Sequence, residues 1–203
     1  MHRPPHCLGL SSRPARPHAH CPPTPTTSRL PGFLVRSAQA RMVSRSAHQG
    51  APMNDIQIMR TTLLLDGELD ELVRESEAEG FEFVGRLRDE WNSRHNRFDQ
   101  PGEVFFTARL QGRLVGICGL NRDPYSGEPG VGRVRRMYVR KEFRRFGIGR
   151  LLLSAITEVA RDHFSFLSLR TDNAIATQFY ERQGFQPSSR FEGGTHLLSL
   201  PRP

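Results

Sequence analysis

The stretch Val134-Arg-Arg-Met-Tyr-Val-Arg-Lys-Glu-Phe-Arg-Arg-Phe-Gly-Ile-Gly-Arg-Leu-Leu-Leu153 decides how the rest of the chain is read. It has the pattern of a strand, a basic turn with two glycines, and the first turns of an amphipathic helix. A helix N-terminus exposes unpaired backbone N–H groups and a partial positive charge, which suits a phosphate. Gly147 and Gly149 let those N–H groups approach a ligand with no Cβ in the way. Arg144, Arg145 and Arg150 place cations around the same point. The turn is therefore expected to grip a pyrophosphate.

Working outward, the helix after the turn carries Ile148, Leu151, Leu152, Ala155, Ile156, Val159 and Ala160 at helical spacing. A strand is expected over residues 164–171, then a short helix from Asn173 to Gln183 stopped by Gly184, then strands near Phe185 and over 195–200. Upstream, Ile56 to Arg60 alternates as a short strand. Asp66 is the expected N-cap of a helix bearing Leu69, Leu72 and Val73, with Gly80 as its stop. A second helix presents Phe81, Val84, Leu87 and Trp91 on one face. Strands over 103–110 and 113–120 flank Gln111-Gly112, a tight hairpin signal. The resulting order, β-α-α-β-β-β-α-β-α-β-β, predicts an α/β (mixed α+β) domain with one sheet packed by helices.

The net charge of +8 raises the question of nucleic acid, so its distribution matters. Seven arginines and no Asp or Glu lie in residues 1–54, which leaves +1 for the remainder. That near-neutral remainder, with no reading helix or aromatic stacking platform, excludes a nucleic-acid partner from the expectations. Within it, residues 133–150 hold eight cations against Glu142 alone. Such a local cluster suits a compact polyanion. Cys7, Cys21 and Cys118 make no disulfide framework, which points to a reducing, cytoplasmic setting. No apolar run approaches the ~20 residues that span a bilayer, so no membrane partner is expected.

Residues 1–52 are rich in Pro, Arg, Ser and His without helix or strand period, and read as a disordered extension. Three readings of it stand: an organelle transit peptide, a functional basic arm, or upstream sequence with the true start at Met42 or Met53. Lys141 is the only lysine; this arginine bias favours the last. His6, Cys7, His18, His20 and Cys21 match no zinc spacing, and no metal is expected.

Two motifs carry a family resemblance. Arg144-Arg-Phe-Gly-Ile-Gly149 matches the pattern Arg/Gln-x-x-Gly-x-Gly/Ala between a fourth strand and a third helix. Asn173 to Phe185, with Phe179-Tyr180-Glu181, matches a second signature about 25 residues further on. Together, and in this element order, they resemble the GNAT superfamily of acetyl-CoA-dependent N-acyltransferases, over about residues 55–200. The resemblance implies a splayed central sheet in a domain spanning 53–203. It implies acetyl-CoA as co-substrate, with a small-molecule amine as acceptor; a homodimer is compatible with it.

The family's roles fall on particular residues. The backbone around Met137, Tyr138 and Val139 would bond the pantetheine arm, and one N–H there would polarise the thioester. Arg144, Arg145 and the N–H groups of Gly147, Ile148, Gly149 and Arg150 would hold the pyrophosphate. Asn173 would fix the pantetheine and the start of the last helix, and Tyr180 would protonate the departing thiolate. The alternative reading of Tyr180 is a core aromatic on the helix face shared with Ala176. No acid lies in Val131–Arg140, where some members keep a catalytic glutamate; Glu103, Asp123, Glu128, His196 or a bound water are the alternatives. Trp91, Asn92, Asn96, Arg97, Asn121, Arg122 and Asp123 lie on the segments expected to build the acceptor pocket. Arg133, Arg135 and Arg136 either recognise an anionic group on the substrate or face solvent. A non-catalytic acyl-CoA-binding module, or an enzyme acting on a protein N-terminus or lysine, remains open.

Overall fold

The computed structural model describes residues 55–201, so the readings made for residues 1–52 lie outside the described residues. The elements run β1 (Ile56–Arg60), α1 (Asp70–Ala78), α2 (Phe83–Asn92), β2 (Val104–Leu110), β3 (Arg113–Arg122), β4 (Val131–Val139), α3 (Ile148–Arg161), β5 (Phe166–Leu169), α4 (Ala174–Arg182), β6 (Gln186–Pro187) and β7 (His196–Ser199). This is the expected order. The seven strands form one sheet in the order β1-β2-β3-β4-β5-β7-β6, antiparallel except for β4 against β5.

Local chemistry accounts for most boundaries. Gln111 and Gly112 both take positive φ (50° and 79°), the twist a two-residue hairpin needs. Asn173 caps α4 by accepting from the N–H groups of Ile175 and Ala176 at 2.9 and 3.1 Å. One expectation fails at α1, which begins at Asp70 without a side-chain cap rather than at Asp66. Gly67 sits at φ 76°, so Asp66 belongs to a turn and the helix starts beyond it. On α3, the buried row is Ile148, Leu152, Ile156 and Ala160, joined by Leu153 (3% exposed) rather than by Leu151 (40%). The stripe is centred on the i+4 row, which leaves Leu151 on its outer flank.

The sheet separates two cores. On one face α1 and α2 bury Leu72, Val84, Leu87 and Trp91 against Phe105, Ile117 and Tyr138. On the other, α3 and Tyr180 of α4 pack on Phe106, Cys118, Leu120 and Val134. Strict alternation along β4 would put Val134 and Met137 on opposite faces. Both instead pack with the α3-side core, because β4 carries a bulge. Gly119 pairs with Arg135 and Ile117 with Tyr138, so Cys118 alone faces Arg136 and Met137. Arg136 absorbs the extra residue at φ 57°.

Candidate active site

β4 and β5 pair over three positions only, Val131 with Phe166, Gly132 with Leu167 and Arg133 with Ser168. From Val134 onward, β4 has no β5 partner, which opens a cleft along its edge. An open strand edge offers unpaired N–H and C=O groups to an extended ligand. Met137, Tyr138 and Val139 lie on this stretch. The Val139 carbonyl is already occupied, accepting from Arg144 Nε at 2.9 Å.

At the end of this edge a 3₁₀ turn (Lys141–Phe143) leads into α3. Gly147 occupies the N-cap position at φ 81°, and no side chain caps the helix. A Cβ on Gly147 would meet nothing within 4 Å, so backbone conformation alone requires glycine there. Gly149 is constrained by space: its Cβ would lie 3.3 Å from both Met137 Cε and Phe179 Cζ. The N–H groups of Ile148, Gly149 and Arg150 precede the first helical bond, from Leu151 to Gly147 O.

The cations around the turn divide into two sets. Arg144, expected to hold phosphate, pairs with Glu79, with Nη1 and Nη2 at 2.7 and 2.6 Å from its two oxygens. Its guanidinium also lies over the Tyr138 ring. Arg140 bonds Glu71 and Glu75 at 2.5 and 3.0 Å. Glu71, Glu75 and Glu79 form one acidic stripe on α1, which fastens the end of β4 and the turn. Tyr138 joins it by donating to Glu79 at 2.8 Å. The hydrogen bond from Arg144 holds the Glu79 carboxyl below its ordinary range, against the opposing effect of burial. Arg145, itself at φ 70°, and Arg150 are exposed and have no acidic partner among the described residues. The exposed Lys141 side chain likewise has no acidic partner among the described residues.

Tyr180 reaches the same cleft from α4. Its hydroxyl points at Met137 Sδ, 3.3 Å away, and its ring packs edge-on to Phe179 and Phe185. Burial pushes the phenol well above its ordinary range, so it is a proton donor and not a base. Asn173 stands at the head of α4 with its side-chain oxygen engaged in the cap.

On the α2 face, Asn96 and Asn121 exchange two hydrogen bonds (3.1 and 3.0 Å) beside a polar cavity of about 350 Å³. Arg97 also lines it, as do Glu90, Arg94, His95, Asp99, Gln100 and Glu103. Trp91 is a core residue beneath Arg97, with the guanidinium 5.8 Å from its ring. The candidate bases are dispersed. Asp123 is engaged by Arg133 (3.2 Å), the Ser168 hydroxyl and the Tyr125 N–H. Glu103 accepts from the Arg122 N–H, Glu128 is exposed and pairs with Arg190, and His196 lies on β7, two strands from β4. Of the three arginines on β4, Arg133 is tied to Asp123 and Arg136 to Glu90, leaving Arg135 half-buried without an acidic partner among the described residues. Glu90 was not foreseen. It sits 46 residues before Arg136 in an ordinary amphipathic helix, and no local pattern marks it.

The fold has counterparts. A crystal structure from Exiguobacterium sp. 255-15, assigned as an acetyltransferase, superposes with a TM-score of 0.64 at 31% identity, covering 71% of this chain and 93% of that one. Escherichia coli YhbS, a GNAT family N-acetyltransferase solved in complex with CoA, shares the fold at 17% identity and a TM-score of 0.55, over 72% of this chain and 82% of its own. The N-alpha-acetyltransferase RimI of Mycobacterium tuberculosis is 34% identical over 90 residues, 42% of this chain. The chain spans about half the length of the curated relatives it matches, 54% in that case. Residues 69–185, more than half of the chain, match the Acetyltransferase (GNAT) family, and the protein belongs to that family.

Proposed function

We propose that the protein, through a domain spanning residues 53–203, transfers an acetyl group from acetyl-CoA to a small-molecule amine by direct attack on the thioester. The observation that carries this is the loss of β4–β5 pairing after Arg133, which leaves an open strand edge between an uncapped helix N-terminus and a protonated tyrosine. Arg145, Arg150 and the N–H groups of Gly147, Ile148 and Gly149 hold the pyrophosphate. The free edge at Met137, Tyr138 and Val139 takes the pantetheine as an added strand, with one N–H directed at the thioester oxygen. Arg144 serves the turn through Glu79, and Asn173 serves α4.

The chemistry sets a definite demand. A lysine-like amine with a pKa near 10.4 is neutral in about 1 molecule in 2,500 at pH 7, so deprotonation costs about 4.7 kcal/mol. Holding the amine beside the thioester, an oxyanion donor and a proton acceptor must offset that cost. Tyr180 then delivers its proton to the thiolate as the C–S bond breaks. The polar cavity of about 350 Å³ on the α2 face supports a small acceptor, within the size range of small-ligand sites.

Thiol release from acetyl-CoA across a panel of small amines and of peptides with free N-termini tests the proposal. Turnover with small amines and not with peptides is expected. Preference for peptide N-termini would move the assignment to a protein acceptor, as the name of the Mycobacterium relative suggests. Tight acetyl-CoA binding without any turnover would identify a binding module.

A further inference from the structure

At the β4 bulge, Arg136 turns toward α2 and its Nη2 lies 2.5 Å from Glu90 Oε1. The pair is only half used. Glu90 Oε2 and Arg136 Nε are both buried and have no hydrogen-bond partner among the described residues, and the Arg136 side chain is 9% exposed. Buried polar atoms are rarely left unpaired, because each costs about 1–3 kcal/mol. Burial pulls the Arg136 guanidinium below its ordinary range, opposed by the charge of Glu90.

The position of the pair gives the vacant oxygen a use. Arg136 precedes Met137, whose sulfur faces Tyr180 on the α3 side of the sheet. Glu90 belongs to α2, on the opposite side, and lines the cavity there with Asn96 and Asn121. Through Arg136, the open stretch of β4 is thus tied to the Glu90 carboxylate and its cavity on one face, while Met137 meets the Tyr180 hydroxyl on the other.

Resting on the reading of the protein as an N-acetyltransferase, we propose that Glu90 is the catalytic residue that receives the acceptor amine. Its Oε2 accepts a hydrogen bond from an N–H of the neutral amine. As the N–C bond forms, the nitrogen gains positive charge and its proton passes to Oε2. The tetrahedral intermediate then expels the thiolate, which takes the Tyr180 proton. The products are the amide and free CoA thiol; Glu90 returns its proton to solvent, and Tyr180 is reprotonated. Two protons leave the nitrogen for solvent, one before attack and one through Glu90, and solvent returns one to Tyr180 to replace the proton given to the thiolate; the net release of one proton balances the step. Arg136 keeps the carboxylate in place through Oε1. The other acids are engaged or distant: Asp123 has three donors, and Glu128 is paired at the surface.

Glu90→Gln keeps the shape and removes the ability to take a proton. Turnover with the preferred amine is expected to fall about 10²-fold or more, while acetyl-CoA affinity by calorimetry stays within twofold. The double variant Glu90→Gln/Arg136→Gln removes the stranded charge; it should regain thermal stability and remain slow. Recovery of turnover in the double variant would mean that Glu90 acts only through folding, and would overturn the proposal. So would Glu90→Gln turnover within threefold of wild type, which leaves the transferase reading intact. If wild-type protein binds acetyl-CoA and releases no thiol with any amine, the transferase reading itself fails and the role of Glu90 with it.

Discussion

Arg144 gives both arms of its guanidinium to Glu79, a residue 65 positions earlier in the chain. The arginine that opens the glycine-turn motif therefore ties the turn to the end of α1. This separates two classes of arginine within a single motif. Arg144→Ala is expected to cost about 1 kcal/mol of stability, since the pair is partly solvated, and to change acetyl-CoA affinity less than threefold. Arg145→Ala and Arg150→Ala should leave the melting temperature unchanged and weaken acetyl-CoA by about tenfold each, less at high salt. Calorimetric titration and thermal melts of the three variants check this.

Tyr180→Phe removes a hydroxyl that burial keeps protonated. Turnover should fall by about 10² to 10⁴ with acetyl-CoA affinity nearly constant. Steady-state rates with saturating amine decide it, and full retained turnover would return Tyr180 to the core.

Alkaline stability follows from the buried acids. Burial raises the Cys118 thiol and the Tyr138 and Tyr180 phenols above their ordinary ranges, with bonding to Glu79 adding to the effect at Tyr138. The unfolded chain ionises its thiol above about pH 8.5 and its phenols above about pH 10 while the native chain keeps those protons. Stability is thus intact below these values and is lost as pH rises, at about 1.4 kcal/mol per pH unit for each group released. Urea midpoints from pH 7 to 11 should fall from about pH 8.5. Cys118→Ala should flatten the first part of that fall.

Two turn positions test backbone against side chain. Gly147→Ala meets no neighbour, so its expected cost of about 1–2 kcal/mol is that of the left-handed conformation alone. Asn173→Ala removes the cap of α4 and should cost about 1 kcal/mol. Equilibrium unfolding measures both, and a neutral Gly147→Ala would show that the turn relaxes.

Legibility in the sequence tracked distance along the chain. The hairpin at Gln111-Gly112, the glycine turn before α3 and the cap at Asn173 are each written within a few residues, and each stands where its pattern put it; the α3 stripe does so except that Leu153 is buried and Leu151 is not. What escaped was pairing across the fold. Glu71, Glu75 and Glu79 look like the solvated side of a surface helix, yet they neutralise Arg140 and Arg144. The bulge at Arg136 is equally silent in sequence, because a single residue at φ 57° changes which side chains share a face without altering composition. Glu90 becomes visible only once Arg136 is turned toward it.

The bulge also bears on how such a protein can diversify. One inserted residue in β4 assigns Met137 to the thioester side and turns Arg136 to the other, so a single strand serves two compartments that share only a backbone edge. On the proposed function, the donor compartment is encoded mainly in one continuous run from Met137 to Arg150, joined by Tyr180, whereas the acceptor compartment draws on α2, the loop after it and Asn121. Exchanging residues 90–100 for those of a relative would therefore swap the acceptor preference and leave the coenzyme grip untouched.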